Sequence, residues 1–208
     1  MLRRRAACSS RSRHGPGPRL RCALALAAVA LDQHDTVGLF PFAEDLRVAL
    51  RPQAGKGRVL RFAELLGGLE PGGETDLARS LATLEALRLR EGLVVVISDF
   101  FDRGGLEAAL PALNRLRHKL LLVQLLRRGD REPELQGDLE LRDCETGART
   151  TVSVTPRLLD AYRRSWQAFE AALVGFAQKR GAGLLQLDAD AEVLPQLATL
   201  FETGSYVV

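Results

Sequence analysis

Histidine and cysteine are scarce in this chain, three of each among 208 residues, and neither is clustered. His14, His34 and His118 have no serine or cysteine partner at a recognisable spacing, so no nucleophilic triad is legible. Cys8, Cys22 and Cys144 form no Cys-x-x-Cys pair, which argues against structural zinc and a disulfide framework and fits a reducing, cytoplasmic setting. Aromatics make up only 5% of the chain, too few for a base-stacking surface. A phosphate loop of the P-loop kind is also missing, because Gly55-Lys-Gly57 lacks the required spacing. No apolar run reaches the roughly 20 residues that a bilayer span needs.

What is present is an ordinary globular composition, 46% hydrophobic and 26% charged, long enough for a sizeable core. The formal charge of +3 is unevenly spread. Seven arginines (Arg3, Arg4, Arg5, Arg11, Arg13, Arg19 and Arg21) precede the first acid, Asp32, which leaves 22 of the 29 basic residues against 26 acids. A basic arm on an acidic body does not make a nucleic-acid face. Residues 1–18 therefore read as a basic, disordered arm and residues 19–208 as one domain. Arg3 to Arg5 with the later run Ala23 to Leu31 imitates a signal peptide, but Gly15-Pro-Gly-Pro18 interrupts it and Arg21 sits within it. A buried helix over residues 19–32 is the expectation.

The run Leu93-Val-Val-Val-Ile-Ser-Asp99-Phe-Phe-Asp102 carries the fold class. Five aliphatic residues without alternation predict a strand buried on both faces, as in a parallel sheet between helices. Asp99 lies where that strand ends, the place at which open α/β sheets bind ligands. A helix near 105–117 and the buried run Lys119 to Leu126 complete a right-handed parallel crossover, so both strands are expected to be central. Upstream, Asp35 to Ala43 reads as a strand paired with Leu46 to Leu50 through a turn at Glu44-Asp45, followed by a loop over 51–57. Helices are expected over 58–68 and 76–89, the second capped by Thr75 or Asp76. A small β-hairpin addition is expected at about 135–154, turning at Asp143-Cys-Glu-Thr-Gly147. Thr155-Pro156 opens a long helix to about Arg180, on which Trp166 and Phe169 are expected in the core. A strand over 184–187 and a helix over 192–201 follow.

Three loops could share one end of the sheet: Cys8 to Gly17, the Thr75 loop, and the loop after Asp99. Their hydroxyls and acid would suit a hard cation such as magnesium. The residues Leu24 to Phe42, Gly73-Glu-Thr75-Asp-Leu and Val-Val-Ile-Ser-Asp99-Phe-Phe-Asp102 resemble a von Willebrand factor A-type domain. They resemble more closely a bacterial family of this fold, the domain of unknown function 58 family, whose members are linked to MoxR-type AAA+ ATPases. Leu141-Arg-Asp-Cys-Glu-Thr-Gly147 and Leu158-Leu-Asp-Ala-Tyr162 extend the resemblance over nearly the whole chain from about residue 19.

The resemblance implies a metal-ion-dependent adhesion site, made of an Asp-x-Ser-x-Ser motif after a first strand, a threonine in a later loop and an aspartate after a central strand. Ser10, Ser12, Thr75 and Asp99 match its ligands, with Asp102 behind them, but Cys8 stands where the first aspartate belongs. Met1 to Ala7 is too short and charged for the first strand, which is expected to be missing through a misplaced start or decay. Loss of that acid should leave weak affinity for Mg2+ or Mn2+. The implied role is a non-enzymatic binding or scaffold module for a protein partner, plausibly a MoxR-type ATPase, without nucleic acid or membrane span. The alternatives are a Mg2+-dependent phosphoester hydrolase, for which only Asp102 and Glu74 lie near Asp99 in sequence, and a truncated copy without function.

Overall fold

The computed structural model describes residues 17–55, 57–69, 74–102, 104–142 and 147–203. Cys8, Ser10 and Ser12 lie outside the described residues.

The first helix, α1 (Pro18–Asp32), starts where Gly17 is extended and Pro18 supplies a pre-set first turn. A short hairpin follows, β1 (Val37–Leu39) against β2 (Leu50–Gln53). The expected pairing forms, through the Phe42–Leu46 bridge and the bonds from the Arg47 N–H to the Pro41 carbonyl at 2.8 Å and from the Ala49 N–H to the Leu39 carbonyl at 3.0 Å, but it runs further than expected, to Val37 opposite Gln53. The chain reverses at Glu44-Asp45 as expected, while the register shifts between Leu39 and Val37 so that residues 51–53, expected in a loop, belong to β2; Pro52 is tolerated in a two-stranded ribbon. Helix α2 (Arg58–Gly67) then buries Phe62 and Leu66 with Ala27 and Leu39 in a small cluster.

The main sheet is parallel, in the order β3 (Leu93–Ser98), β4 (Lys119–Leu126), β7 (Gly183–Asp188). The helix α3 (Leu77–Ala86) precedes β3, and α4 (Gly105–Arg115) makes the crossover to β4. Only β4 is central. A crossover fixes that β3 and β4 are neighbours but not what lies beyond β3, and among the described residues its outer edge carries no strand. Likewise, among the described residues no strand precedes α1.

Period-two alternation divides the strands between two cores. Val96, Leu122 and Leu184 share one register row and face α3, α4 and the 25-residue helix α6 (Pro156–Arg180), reached through α5 (Arg128–Arg131) and the hairpin β5 (Gly137–Arg142) and β6 (Arg149–Val154). Residues 143–146 of its expected turn lie outside the described residues. Val123, Leu125, Leu185 and Leu187 face the other way, onto Cys22 of α1 and onto Val193 and Leu197 of α7 (Val193–Thr203). The result is an α/β arrangement with helices on both faces of a parallel sheet, consistent with the expected von Willebrand A-like fold class. Among the described residues no helix is long and apolar enough to cross a membrane.

The ends of α6 follow local rules. Thr155 accepts a hydrogen bond from the Leu158 N–H at 3.2 Å, Lys179 and Arg180 occupy the last turn, and Gly181 closes it in the left-handed region at φ 61°. Arg180 Nη2 donates to the Leu116 carbonyl at 2.7 Å, tying the helix end to the turn before β4.

The sulfur of Cys22 is wholly covered, and burial pushes its thiol up from 9.0 to about 12. In a variant with Cys8 and Cys144 changed to serine, Ellman's reagent is expected to find no reactive thiol until the protein is unfolded. The unfolded thiol ionises from about 9 and the folded one only near 12, so this burial's contribution is complete below pH 9 and is lost towards 12. Urea titrations across that range should show the decline, and Cys22→Ala should remove this part of it.

Candidate functional site

The chain turns sharply as β3 ends, and its own side chains hold the turn. Ser98, buried, accepts a hydrogen bond from the Phe100 N–H at 3.0 Å, and Asp99 Oδ1 accepts one from the Phe101 N–H at 3.2 Å. Phe100 is thereby placed in the left-handed region at φ 62°. For a residue with a Cβ that conformation costs on the order of 1–3 kcal/mol. Complete burial of its ring against α3 and α4 offsets the strain. In consequence Phe100 points inward while Asp99 and Phe101 face the surface, Phe101 with 46% of its area exposed.

Beneath this turn runs a polar row that sequence reasoning missed. Ser98, Gln124 and Gln186 occupy equivalent positions on the three strands. Gln186 Nε2 donates to Gln124 Oε1 at 2.8 Å, and Gln124 Nε2 reaches the Asp99 carbonyl at 3.5 Å. Gln124 is fully buried, so its amide must be satisfied within the protein, and its partners lie on the two flanking strands. The signal in the sequence was a single glutamine inside an otherwise apolar run, Leu120 to Leu126.

The loop before α3 is tied to the same edge. Asp102 Oδ1 accepts from the Leu77 N–H at 3.3 Å, two residues after Thr75. Of the two expected caps for α3, Asp76 serves, accepting from the Arg79 N–H at 2.8 Å. Asp102 therefore does not cap the helix that follows it; it reaches back to α3 and joins the Thr75 loop to the Asp99 loop. Its other oxygen, Oδ2, is buried and has no hydrogen-bond partner among the described residues.

A second residue, absent from the sequence-based expectations, changes the chemistry of the edge. Arg19, in the first turn of α1, donates from Nη2 to Asp99 Oδ2. Both carboxylate oxygens of Asp99 are thus engaged, one by a backbone N–H and one by a guanidinium. Among the described residues there is no group of three or more histidine, cysteine or acidic residues that could hold a metal ion. Thr75 adds only an uncharged oxygen.

Phe101 also packs on α6, its ring centroid 5.8 Å from that of Trp166 and 5.2 Å from that of Phe169. Trp166 is in the core as expected. One turn earlier, Tyr162 donates to the Asp130 carbonyl, and its phenol is pushed above its ordinary range by burial and then by the nearby Asp130 charge. A cavity of about 610 Å3, lined by residues such as Glu85, Arg88 and His118, opens at the opposite end of the strands, far from Asp99 in the fold.

A family profile described as "protein of unknown function DUF58" matches residues 18–172. The chain belongs to the DUF58 family. Arg19, Thr75, Asp99, Asp102, Gln124 and Trp166 all fall within the matched region. The DUF58 chain is 32% identical over 122 residues to an uncharacterized protein of Mycobacterium tuberculosis, covering 59% of this chain and 38% of that one. An uncharacterized protein of Mycobacterium avium is 30% identical over 115 residues, 55% of this chain and 68% of the relative. The chain thus spans about two fifths of the length of the first of these relatives. The crystal structure of an aerotolerance-related membrane protein from Bacteroides fragilis is similar in fold, with a TM-score of 0.51 at 18% identity, covering 89% of this chain and 88% of that one.

Asp102→Ala removes the acceptor of the Leu77 N–H and should cost about 1 kcal/mol, in the range of a lost helix cap. Gln124→Leu leaves Gln186 and the Asp99 carbonyl without their shared partner, and a loss of about 1–2 kcal/mol is expected. Urea unfolding of both variants measures these costs, and hydrogen exchange at Phe100 and Phe101 should accelerate in Gln124→Leu.

Proposed function

We propose that this chain is a non-enzymatic protein-binding or scaffold module with a degenerate metal-ion-dependent adhesion edge, working in the cytoplasm with a MoxR-type AAA+ ATPase. The observation that carries this reading is the makeup of the edge around Asp99. An exposed aromatic, Phe101, stands on a packed Trp166–Phe169 base beside a fixed charge pair, an anchor-and-rim composition suited to protein contact. A hydrolase would need a base or nucleophile beside Asp99. Both oxygens of Asp99 are engaged, by Arg19 and by the Phe101 N–H, and Asp102 accepts from the Leu77 N–H through one oxygen while the other is buried. His118 lies at the start of β4, at the other end of the sheet, where its Nδ1 accepts from the Gly92 N–H.

The test is direct binding to the purified MoxR-type ATPase of the same organism by isothermal titration calorimetry. Binding is expected, and Phe101→Ser should weaken it about ten-fold or more, as loss of an aromatic anchor does, with the melting curve showing that the fold survives. Absence of binding would remove the ATPase from the reading. Turnover of p-nitrophenyl phosphate with Mg2+, abolished by Asp99→Ala, would overturn the scaffold role in favour of a hydrolase.

A further inference from the structure

We propose that Arg19 is the resident cation of this edge: its guanidinium holds the position at Asp99 that a divalent ion would take, so metal binding and the Arg19–Asp99 pair exclude one another. This rests on the adhesion-type reading above and deepens it, by replacing a bound metal with a side chain of the protein itself.

Four observations carry it. Asp99 has no unengaged oxygen: Oδ1 accepts from the Phe101 N–H and Oδ2 from Arg19. The turn at Phe100, held by Ser98 and Asp99 and by the buried Phe100 ring, fixes the backbone from which the Asp99 carboxylate projects. A metal approaching Asp99 through Oδ2 therefore competes with the guanidinium.

The placement of Arg19 is also costly unless it has a partner. It lies in the first turn of α1, which contains no acid, and a positive charge there is opposed by the helix dipole. Its partner comes from a residue 80 positions further along the chain, so the compensation is tertiary and not a by-product of local sequence. A planar guanidinium matches a carboxylate and needs no further acids, whereas a hard dication needs several oxygen ligands.

Finally, the pair is at the rim of the molecule, with the Arg19 side chain 55% exposed and that of Asp99 29% exposed. Ions in solution can reach it, so exclusion is a competition and not a consequence of burial. The edge then offers an approaching protein a cation that chelators cannot remove.

The experiment is Mn2+ titration by calorimetry on the full chain, comparing Arg19 with Arg19→Gln in two backgrounds, the natural one and Cys8→Asp, which restores the missing motif acid. The expected result is at least a ten-fold gain in Mn2+ affinity from Arg19→Gln in one or both backgrounds. The gain should be abolished by adding Asp99→Asn and not reproduced by Arg19→Lys, which keeps the charge. No change in either background, or a gain that survives Asp99→Asn, overturns the proposal. Circular dichroism melts of each variant confirm folding, which the exposure of Arg19 favours. ATPase binding measured in excess chelator separates the two readings: if it persists while Mn2+ affinity is indifferent to Arg19, the scaffold role stands and this inference falls. If it is absent while Arg19→Gln gives the expected gain, the inference stands and the ATPase assignment falls.

Discussion

The constraint on which the structure depends is the burial of β4 on both faces. With Leu122 against α4 and α6 and Val123 and Leu125 against α1 and α7, this strand feeds both cores and, unlike β3 and β7, has a described strand on each side. Its backbone groups are satisfied by β3 and β7, and its side chains cannot be wet from either side. Any polar group placed in it must therefore find partners within the protein. Gln124 is that case, and its two amide contacts point along the sheet, to Gln186 on one flank and to the Asp99 carbonyl on the other. The interior of the sheet thus reaches the surface loop through one fully buried amide.

The same logic explains how the C-terminal edge is held together. The turn after β3 places one aromatic inward and the next outward, using a left-handed Phe100 that neighbouring hydrogen bonds and core packing hold in place. Asp102 ties that turn to the start of α3, and Arg19 ties it to the start of α1. Three segments far apart in sequence meet at one edge, and each contributes a polar group that another needs. A surface ion pair alone is worth only about 0.2–1 kcal/mol. Its importance here is chemical: it decides which cation Asp99 sees.

Much of the fold was legible because it is written in patterns with local causes. The unbroken aliphatic runs before Ser98 and after Lys119 require two-sided burial, and Thr155-Pro156 with Gly181 mark both ends of α6 by backbone chemistry alone. The β1–β2 hairpin was legible around Glu44-Asp45, but not its continuation, since a register shift between Leu39 and Val37 carries the pairing on through Pro52 to Gln53. Propensity near a proline gave way to tertiary context there. At the candidate site, Thr75 and Asp99 stood out through their family-like setting, and the structure brings their loops together through Asp102. Arg19 was hidden among seven early arginines, and nothing local distinguishes it from Arg21. Gln124 was visible as an anomaly, but its role depends on which strands lie beside it.

Sequence alone determined the α/β class, the crossover from β3 to β4, the hairpin addition and the long capped helix, because periodicity, capping and turn chemistry act over a few residues. Only the tertiary structure decided that β4 and not β3 is central among the described strands, that Asp102 caps a helix behind it, and that Asp99 is held by an arginine from α1. Those outcomes depend on distances between residues remote in the chain, and no local pattern encodes them.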